Sequence, residues 1–393
     1  MKQGPLSVLY FTNVLVRGGA EEHILTLMRG LDRTYFRLHL VCPPSLAEKL
    51  RSDIPGDVEV VTLCLRKPSQ IASALRLAQI IRQRRVDILH SHLFYSSLFA
   101  SPIGWLCRVP VIIETPHVRE LWRRSWLKSR FVVDRFAGRF VDYYIAVSRA
   151  NAKYLVETKG LPPRKVVVIQ NGCDLTRFDP ARQAPAGMKT SLGFCDDDPV
   201  LLVVGRLEPQ KGHRVLLDAM PLVHRRFPGA RLVCVGDGAL RRELEAQAAA
   251  LELDRSVRFM GYHANIPDWL ALADVVVLPS FYEGLPLVAI ESLAAGRPMV
   301  VTAVDGTPEV VVDGKTGLTV PPGEAAPLAE AICSLLGDPE LRRALASAGR
   351  GWVEEHFSQE KQVQRTQEFY LHALQRRHRA AASPVDSFVK EKA

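Results

Sequence analysis

The chain has 393 residues, 47% of them hydrophobic, enough to fill two cores. Its net charge of +9 is uneven: residues 1–189 carry 29 Lys and Arg against 15 Asp and Glu, while the remainder is net −5. No apolar run reaches the length of a bilayer span and the start, Met1 to Pro5, has no apolar signal stretch, so the expectation is a cytoplasmic protein. The seven cysteines are scattered without a CxxC, which reads as reduced, packed thiols and argues against a disulfide framework or a zinc site. A basic first half suggests that this half meets something anionic: nucleic acid, lipid or a phosphorylated substrate.

Leu6–Phe11 reads as a first strand, followed by Val16-Arg17-Gly18-Gly19-Ala20-Glu21 and an amphipathic helix from Glu22 to Leu31. A glycine pair at this point lets backbone approach a ligand closely. It is not GxGxxG, and no acidic residue ends a second strand about 20 residues on, so a ribose-binding dinucleotide fingerprint is missing. Strands and helices then alternate: Arg37–Cys42, Leu46–Ser52, Val58–Leu63, Ile71–Arg84, Ile88–His90, Ser96–Trp105 and Val111–Glu114. That rhythm predicts a doubly wound parallel sheet, which binds ligands at the carboxyl ends of its strands. His90, His92 and His117 fall at those ends. His90 and His92 lack a third metal ligand at a convincing spacing and are expected to line a cleft. His117 reads equally as an exposed loop residue or a functional one.

The run Arg119-Glu-Leu-Trp122-Arg123-Arg124-Ser-Trp126-Leu-Lys128-Ser-Arg130-Phe131 interleaves cations with aromatic rings. A solvated helix surface is the ordinary reading of a charge run, but two Trp among five cations suit an anionic membrane surface. Asp142–Val147 is another strand, and Ser148 caps a helix running to Lys159. Lys165–Ile169 follows. Residues 178–199, rich in Pro and Gly, read as an interdomain linker. Asp196-Asp197-Asp198 within it resembles a metal-binding DxD, but Pro199 and the adjoining strand favour a solvated turn.

A second sheet begins at Val200–Val204 and runs into Gly205-Arg206-Leu207…Lys211-Gly212. Two cations at a strand–helix junction, flanked by glycines, suit a diphosphate. Arg231–Val235 leads to Gly236-Asp237-Gly238, and Val257–Met260 leads to Gly261. The apolar strand Asp274–Pro279 precedes Ser280-Phe-Tyr-Glu283-Gly284-Leu285-Pro286, with Pro286 placed as a first helical residue and a helix from Val288 to Ala295. Glu283 sits just before this helix and Glu291 in its second turn. Free N–H groups and the helix dipole there suit phosphate, so the two acids are better used on hydroxyls of a sugar-like ligand. Each acid alone reads as a cap or a solvated Glu; the pair in this frame points to function. Met299–Thr302 and Gly317–Val320 are the last strands, and a helix from Gln359 to about Arg379 is long enough to return to the first domain.

These motifs together resemble the retaining GT-B glycosyltransferases of family four. The Arg206/Lys211 loop, Val235-Gly236-Asp237-Gly238 and Glu283-Gly284…Glu291 carry the likeness in the second half. Gly18-Gly19-Ala20-Glu21, Asp87-Ile-Leu-His90-Ser-His92, Thr115-Pro116-His117, Ala146-Val-Ser148 and Asn171-Gly172-Cys173-Asp174 carry it in the first. Cys173 departs from the Val or Ile often found there. The resemblance implies an α/β GT-B fold: two Rossmann-like, doubly wound parallel-sheet domains facing across a cleft. They would span residues 1–185, completed by the helix at about 359–379, and 195–358.

The resemblance also implies roles. Arg206 and Lys211 would bind the diphosphate of an NDP-sugar. Glu283 would contact donor-sugar hydroxyls, Gly284 and Leu285 would give backbone N–H groups, and Glu291 would bind the ribose. Gly18, Gly19, Gly236 and Gly261 belong to the donor site, and His117 would sit by the reacting sugar. Cations on the leaving side stabilise charge where it develops, and a nucleoside diphosphate leaves without a general acid. The expected reaction is a same-face transfer to a lipid-linked or cell-surface glycan acceptor, without cofactor or metal. The enzyme would work on the inner membrane face, docked through Arg119–Phe131, with no nucleic acid as partner. Competing readings are an NDP-sugar epimerase or sugar-phosphate-using enzyme on the same fold, and a noncatalytic membrane or nucleic-acid binding module. A dehydrogenase is disfavoured by the missing fingerprint.

Overall fold

The computed structural model describes residues 4–15, 17–117 and 131–380. The chain divides into two compact units: Met1–Asn171 with Gln359–Ala393, and Gly172–Ser358.

Unit 1 is built on a seven-stranded sheet in the order β3-β2-β1-β4-β5-β6-β7, every pair parallel. Its strands are β1 Leu6–Phe11, β2 Phe36–Cys42, β3 Glu59–Thr62, β4 Ile88–His92, β5 Val111–Thr115, β6 Tyr143–Ala146 and β7 Val166–Val168. The central strands are buried along nearly their whole length because helices cover both faces, including the polar ends of β4 (His90-Ser91-His92) and β5 (Glu114-Thr115). Helix α1 (Gly19–Gly30) buries Ile24, Leu27 and Met28 in one core, and α2 (Pro44–Leu50) adds Leu46 and Leu50. On the other face α3 (Ile71–Gln83) and α4 (Phe94–Leu106) contribute Leu77, Ile81 and Ala100. Burying one such Leu or Ile contributes roughly 1.5–3 kcal/mol. Two short helices, α5 (Val132–Ala137) and α6 (Arg149–Lys153), follow.

The expected single helix to Lys159 is interrupted. Ser148 Oγ does cap it, accepting from Asn151 N at 2.9 Å, but after Lys153 the backbone switches to a π-helical turn at Tyr154–Thr158. Lys159 turns inward to meet Asp134 at 2.9 Å, both side chains under 5% exposed. The basic and aromatic run lies outside the described residues except for its last member. Phe131 is only 8% exposed, with its ring edge-on to Tyr154 and under the Lys159 ammonium, so it belongs to the core and not to a surface anchor.

Unit 2 has a six-stranded parallel sheet in the order β10-β9-β8-β11-β12-β13. The strands are β8 Val200–Val204, β9 Arg231–Val235, β10 Val257–Gly261, β11 Val275–Leu278, β12 Met299–Thr302 and β13 Leu318–Val320. After the short α7 (Met188–Ser191), its helices are α8 His213–His224, α9 Arg241–Ala250, α10 Ile266–Leu272, α11 Leu287–Ala294, α12 Thr307–Val310, α13 Ala325–Gly337 and α14 Pro339–His356. Leu216, Met220, Ile332 and Leu335 pack with Leu201 and Val277 in its core.

The expected linker, residues 178–199, is packed onto unit 2. Phe178 and Phe194 are buried, Arg350 donates to the Phe178 carbonyl at 2.9 Å, and Arg231 and Arg258 lie over the Phe194 ring. Asp198, expected as part of a solvated turn, is buried. It accepts from Cys195 N and pairs with Arg231 at 2.8 Å, while Asp196 and Asp197 are exposed. The last helix, α15 (Gln359–Ala380), belongs to unit 1, where Val363, Tyr370, Ala373 and Leu374 join the α1 core. No helix among the described residues is long and apolar enough to cross a membrane.

Candidate active site

Both sheets reverse their strand order at one place, between β1 and β4 in unit 1 and between β8 and β11 in unit 2. The crevice at the carboxyl ends of such a pair of strands is where open parallel sheets bind ligands. In unit 2 the loop after β8 holds Arg206 and Lys211, and the loop after β11 holds Glu283, Gly284 and Leu285.

Backbone and side-chain bonds stitch these loops together. Phe281 N donates to the Gln210 carbonyl at 2.8 Å, and Gln210 Nε2 donates to the Tyr282 carbonyl at 2.8 Å. Gly212 is left-handed at φ +67°, and a Cβ there would lie 1.9 Å from the Pro279 carbonyl oxygen, so only glycine lets the loops close this far. On the other side Leu207 N donates to the Asp237 carbonyl at 3.0 Å. A Cβ on Gly236 (φ +143°) would strike the Gly205 carbonyl at 1.9 Å. Gly236 N in turn donates to the carbonyl of Gly261, itself at φ +75°. Gly236 and Gly261 thus shape the edge of the site through backbone approach.

On this frame Lys211 Nζ meets Glu283 Oε1 at 2.6 Å, and Ser280 Oγ donates to the same oxygen at 2.7 Å. Glu283 is 5% exposed, and its Oε2 takes no hydrogen bond among the described residues. The Lys211 stem runs over Gly205, whose Cβ would sit 3.4 Å from Lys211 Cδ. The Arg206 side chain is exposed and makes no hydrogen bond or ion pair among the described residues. Its charge reaches Tyr282, whose phenol is pushed up by burial and drawn back by that cation. Gly284 and Leu285 are buried at the entrance to α11, and Glu291 lies in its second turn. Pro286 is the N-cap and not the first helical residue; the first turn closes with Ala289 N on the Pro286 carbonyl.

Three contributors were not singled out from the sequence. Ser280 and Asp305 fix Glu283, Asp305 by accepting from Glu283 N at 3.1 Å. His213, the first residue of α8, is 2% exposed with neither ring nitrogen partnered, and burial holds its pKa down at about 4. It is neutral near pH 7 and adds no charge beside Lys211. The signals were present: Ser280 and Asp305 each follow a buried strand's end.

In unit 1, Gly18 caps α1 with an extended backbone and Gly19 opens that helix, just after β1. His117 follows β5 on the same sheet edge and is 8% exposed, so it is not an exposed loop residue. It joins a cluster of buried rings with His23, His90 and His92. His92 Nδ1 lies 3.0 Å from His117 Nε2, and the edge of His23 packs on His117 with centroids 5.0 Å apart. His90 and His92 are fully buried, so the expectation that they line a cleft is corrected. His90 is anchored at both nitrogens, to Tyr370 Oη at 2.5 Å and Thr115 Oγ1 at 2.7 Å. Burial holds all four imidazoles below their ordinary pKa, His23 at about 4.

Two family profiles match the chain: glycosyl transferases group 1 over residues 188–352, and glycosyltransferase family 4 over residues 17–177. The glycogen synthase of Mycobacterium tuberculosis (strain CDC 1551 / Oshkosh) is 32% identical over 315 residues, covering 78% of this chain and 74% of that one. This chain belongs to the group 1 glycosyltransferases. It is a glycosyltransferase of the hexosyl-transferring type, and its two parallel-sheet units are those of the GT-B fold. Anabaena HepE, solved in complex with UDP and glucose, shares that fold with a TM-score of 0.81 at 22% identity over 93% of this chain and all of its own. The Escherichia coli UDP-Gal:alpha-D-GlcNAc-diphosphoundecaprenol alpha-1,3-galactosyltransferase is 25% identical over 363 residues, 90% of this chain and 93% of that protein.

Proposed function

We propose that this glycosyltransferase takes a hexose from a nucleoside-diphosphate sugar held by unit 2 and transfers it, with retention of configuration, to a lipid-linked or cell-surface glycan acceptor. The observation that carries the donor reading is the arrangement around Glu283. Both of its bonded partners sit on Oε1, which leaves Oε2 for a sugar hydroxyl, while Lys211 keeps two further N–H bonds for a phosphate oxygen. Arg206 beside it suits a diphosphate, which it can hold bidentately. Backbone at Gly284 and Leu285 would face the donor at the start of α11, and Glu291 would take the ribose hydroxyls. Gly18, Gly19 and His117 would be further contacts of the sugar nucleotide. The HepE complex with UDP and glucose supports this class of donor.

The chemistry follows from the charges. As the sugar–phosphate bond breaks, negative charge grows on the leaving oxygen, which Arg206 and Lys211 would stabilise. The departing phosphate can take the acceptor's proton on the face it leaves, which delivers the acceptor to that face. Cations in this position do the work a divalent ion would do, so the reaction is proposed to need no metal.

The acceptor reading rests on unit 1. Val132, Val133 and Phe136 on α5 and Trp105 and Leu106 on α4 are exposed. Phe140 joins the two groups, 5.5 Å from Trp105 and 5.8 Å from Phe136 between ring centroids. Arg108, Arg135 and Arg139 stand exposed around them. Apolar rings within a basic rim fit the surface of an anionic membrane, where a lipid-linked acceptor would be found, on its cytoplasmic face. The E. coli relative's diphosphoundecaprenol acceptor supports the same class.

A thermal-shift screen of nucleotide sugars identifies the donor, since a ligand of the native state raises the melting temperature. Proton NMR of the product then gives the anomeric configuration. The donor's configuration in the product is expected; the opposite anomer overturns retention.

A further inference from the structure

His92 and His117 share one hydrogen bond, and its direction decides what His117 can do. Their ring planes are within 24° of parallel with centroids 5.3 Å apart, and His92 Nδ1 to His117 Nε2 is 3.0 Å. Burial keeps both rings neutral near pH 7, so each carries one N–H. Two arrangements satisfy the contact. His92 donates from Nδ1, which leaves its Nε2 a bare lone pair and puts the His117 proton on Nδ1. Alternatively His117 donates from Nε2, which puts the His92 proton on Nε2.

The surroundings separate the two. His92 Nε2 is buried and has no partner. An orphaned buried N–H is rarer than an unfilled acceptor, so the first arrangement is favoured. The His92 ring cannot swing away, because it lies against His90 at 4.3 Å between centroids, and His90 is tied to Tyr370 and Thr115. His117 Nδ1 has no hydrogen-bond partner among the described residues, so in this tautomer it is a donor awaiting an acceptor.

We propose that His92 is a positioning residue for the transfer: its Nδ1–H fixes His117 as the Nδ1–H tautomer, so that His117 offers a hydrogen-bond donor to a hydroxyl oxygen of the bound sugar. The second half rests on the reading of His117 as a sugar contact given above; the first half stands on the geometry of unit 1 alone. A tie runs from α15 through Tyr370 and His90 to His92 and so to His117. His117 is thereby held by a residue that never touches substrate.

The test uses the full chain labelled with 15N-histidine. Long-range 1H–15N spectra distinguish the two imidazole tautomers, and the spectrum of His117→Gln assigns the His117 signals. Two substitutions separate a donor from mere packing. His92→Asn puts an amide N–H close to the old Nδ1, and His92→Leu fills similar space with no donor. The Nδ1–H tautomer at His117 is expected in the parent and in His92→Asn, and its loss in His92→Leu. Turnover at saturating donor should fall by about tenfold in His92→Leu and recover in His92→Asn, the effect of one neutral hydrogen bond. NDP affinity, measured by calorimetry, should stay the same in all three. An Nε2–H tautomer at His117 in the parent, or an unchanged His117 tautomer in folded His92→Leu, overturns the proposal. Should a variant fail to fold, the parent spectrum still decides the tautomer. These spectra need no turnover, so an enzyme that accepts no NDP-sugar would defeat the donor reading and leave the role of His92 to be judged on the spectra.

Discussion

Lys211 Nζ lies 2.6 Å from Glu283 Oε1, across 72 residues of sequence and between loops that follow neighbouring strands. The pair neutralises itself, so on the proposed donor reading the net positive charge offered to a diphosphate comes from Arg206. Glu283 thus holds the Lys211 ammonium on one oxygen and, on the donor reading proposed above, keeps the other for the sugar.

The two acids of this motif should therefore separate in their effects. Glu291→Ala should weaken binding of the free NDP. Glu283→Ala should leave NDP affinity within a few-fold while use of the whole NDP-sugar falls by on the order of a hundredfold, the scale for losing one preorganised polar contact. Calorimetry with NDP and rates with the NDP-sugar, on both variants, check this. Equal loss of NDP affinity in both would show that the acids do not divide the work.

Metal removal should be tolerated. With Arg206 and Lys211 as the leaving-side cations, rates in EDTA should match those in magnesium or manganese. Asp198 is spent on Arg231 and the Cys195 N–H, which leaves the acidic triplet poorly suited to a metal. Activity lost to EDTA and restored by manganese would refute metal independence.

Acid stability carries the signature of the buried imidazoles. His23 and His213 have folded pKa values near 4, and His90, His92 and His117 are also depressed, against about 6.5 when unfolded. The unfolded chain then binds more protons than the folded one, so the stability these groups contribute is present above pH 6.5 and is lost as pH falls towards 4. Each contributes a slope of up to about 1.4 kcal/mol per pH unit. Urea unfolding at pH 7.5, 6.0 and 5.0 should show a steep fall in midpoint. A flat midpoint over this range would mean that these rings are not buried neutral.

Membrane docking, if it runs through the described patch, needs both its rings and its rim. Binding to vesicles should grow with anionic lipid and fall with salt. Three Arg near an anionic leaflet contribute about 1 kcal/mol each. Trp105→Ser with Phe136→Ser, and separately Arg135→Gln with Arg139→Gln, should each weaken co-sedimentation in protein that stays folded. Undiminished binding in both variants would remove the α4–α5 face as the docking surface.

The unit 2 strands were legible as apolar runs, since each is covered on both faces: β8 and β12 fall where the runs Val200–Val204 and Met299–Thr302 place them. Helix ends were less so. The φ of proline suits an N-cap as well as a first helical position, and at Pro286 it is the extended ψ of 107° that makes it the cap. The switch to π-helix at Tyr154 leaves no mark in a 3.6-residue pattern. Glycines marked the loops correctly, yet the reason at Gly212 is its approach to Pro279, a residue 67 positions on. His90 and His92 misled because polar residues at a strand's end normally face solvent. Here Tyr370, 280 residues from His90, closes over them from the last helix.

The most direct measurement of the donor reading is the rate of NDP release from the best-binding nucleotide sugar, at saturating donor, in the parent and in Arg206→Ala. Arg206 is exposed, so its loss should leave the fold intact. The account predicts a fall of about a hundredfold or more, as for removal of one charge-stabilising group from a transition state. Equal rates in the two proteins would contradict it.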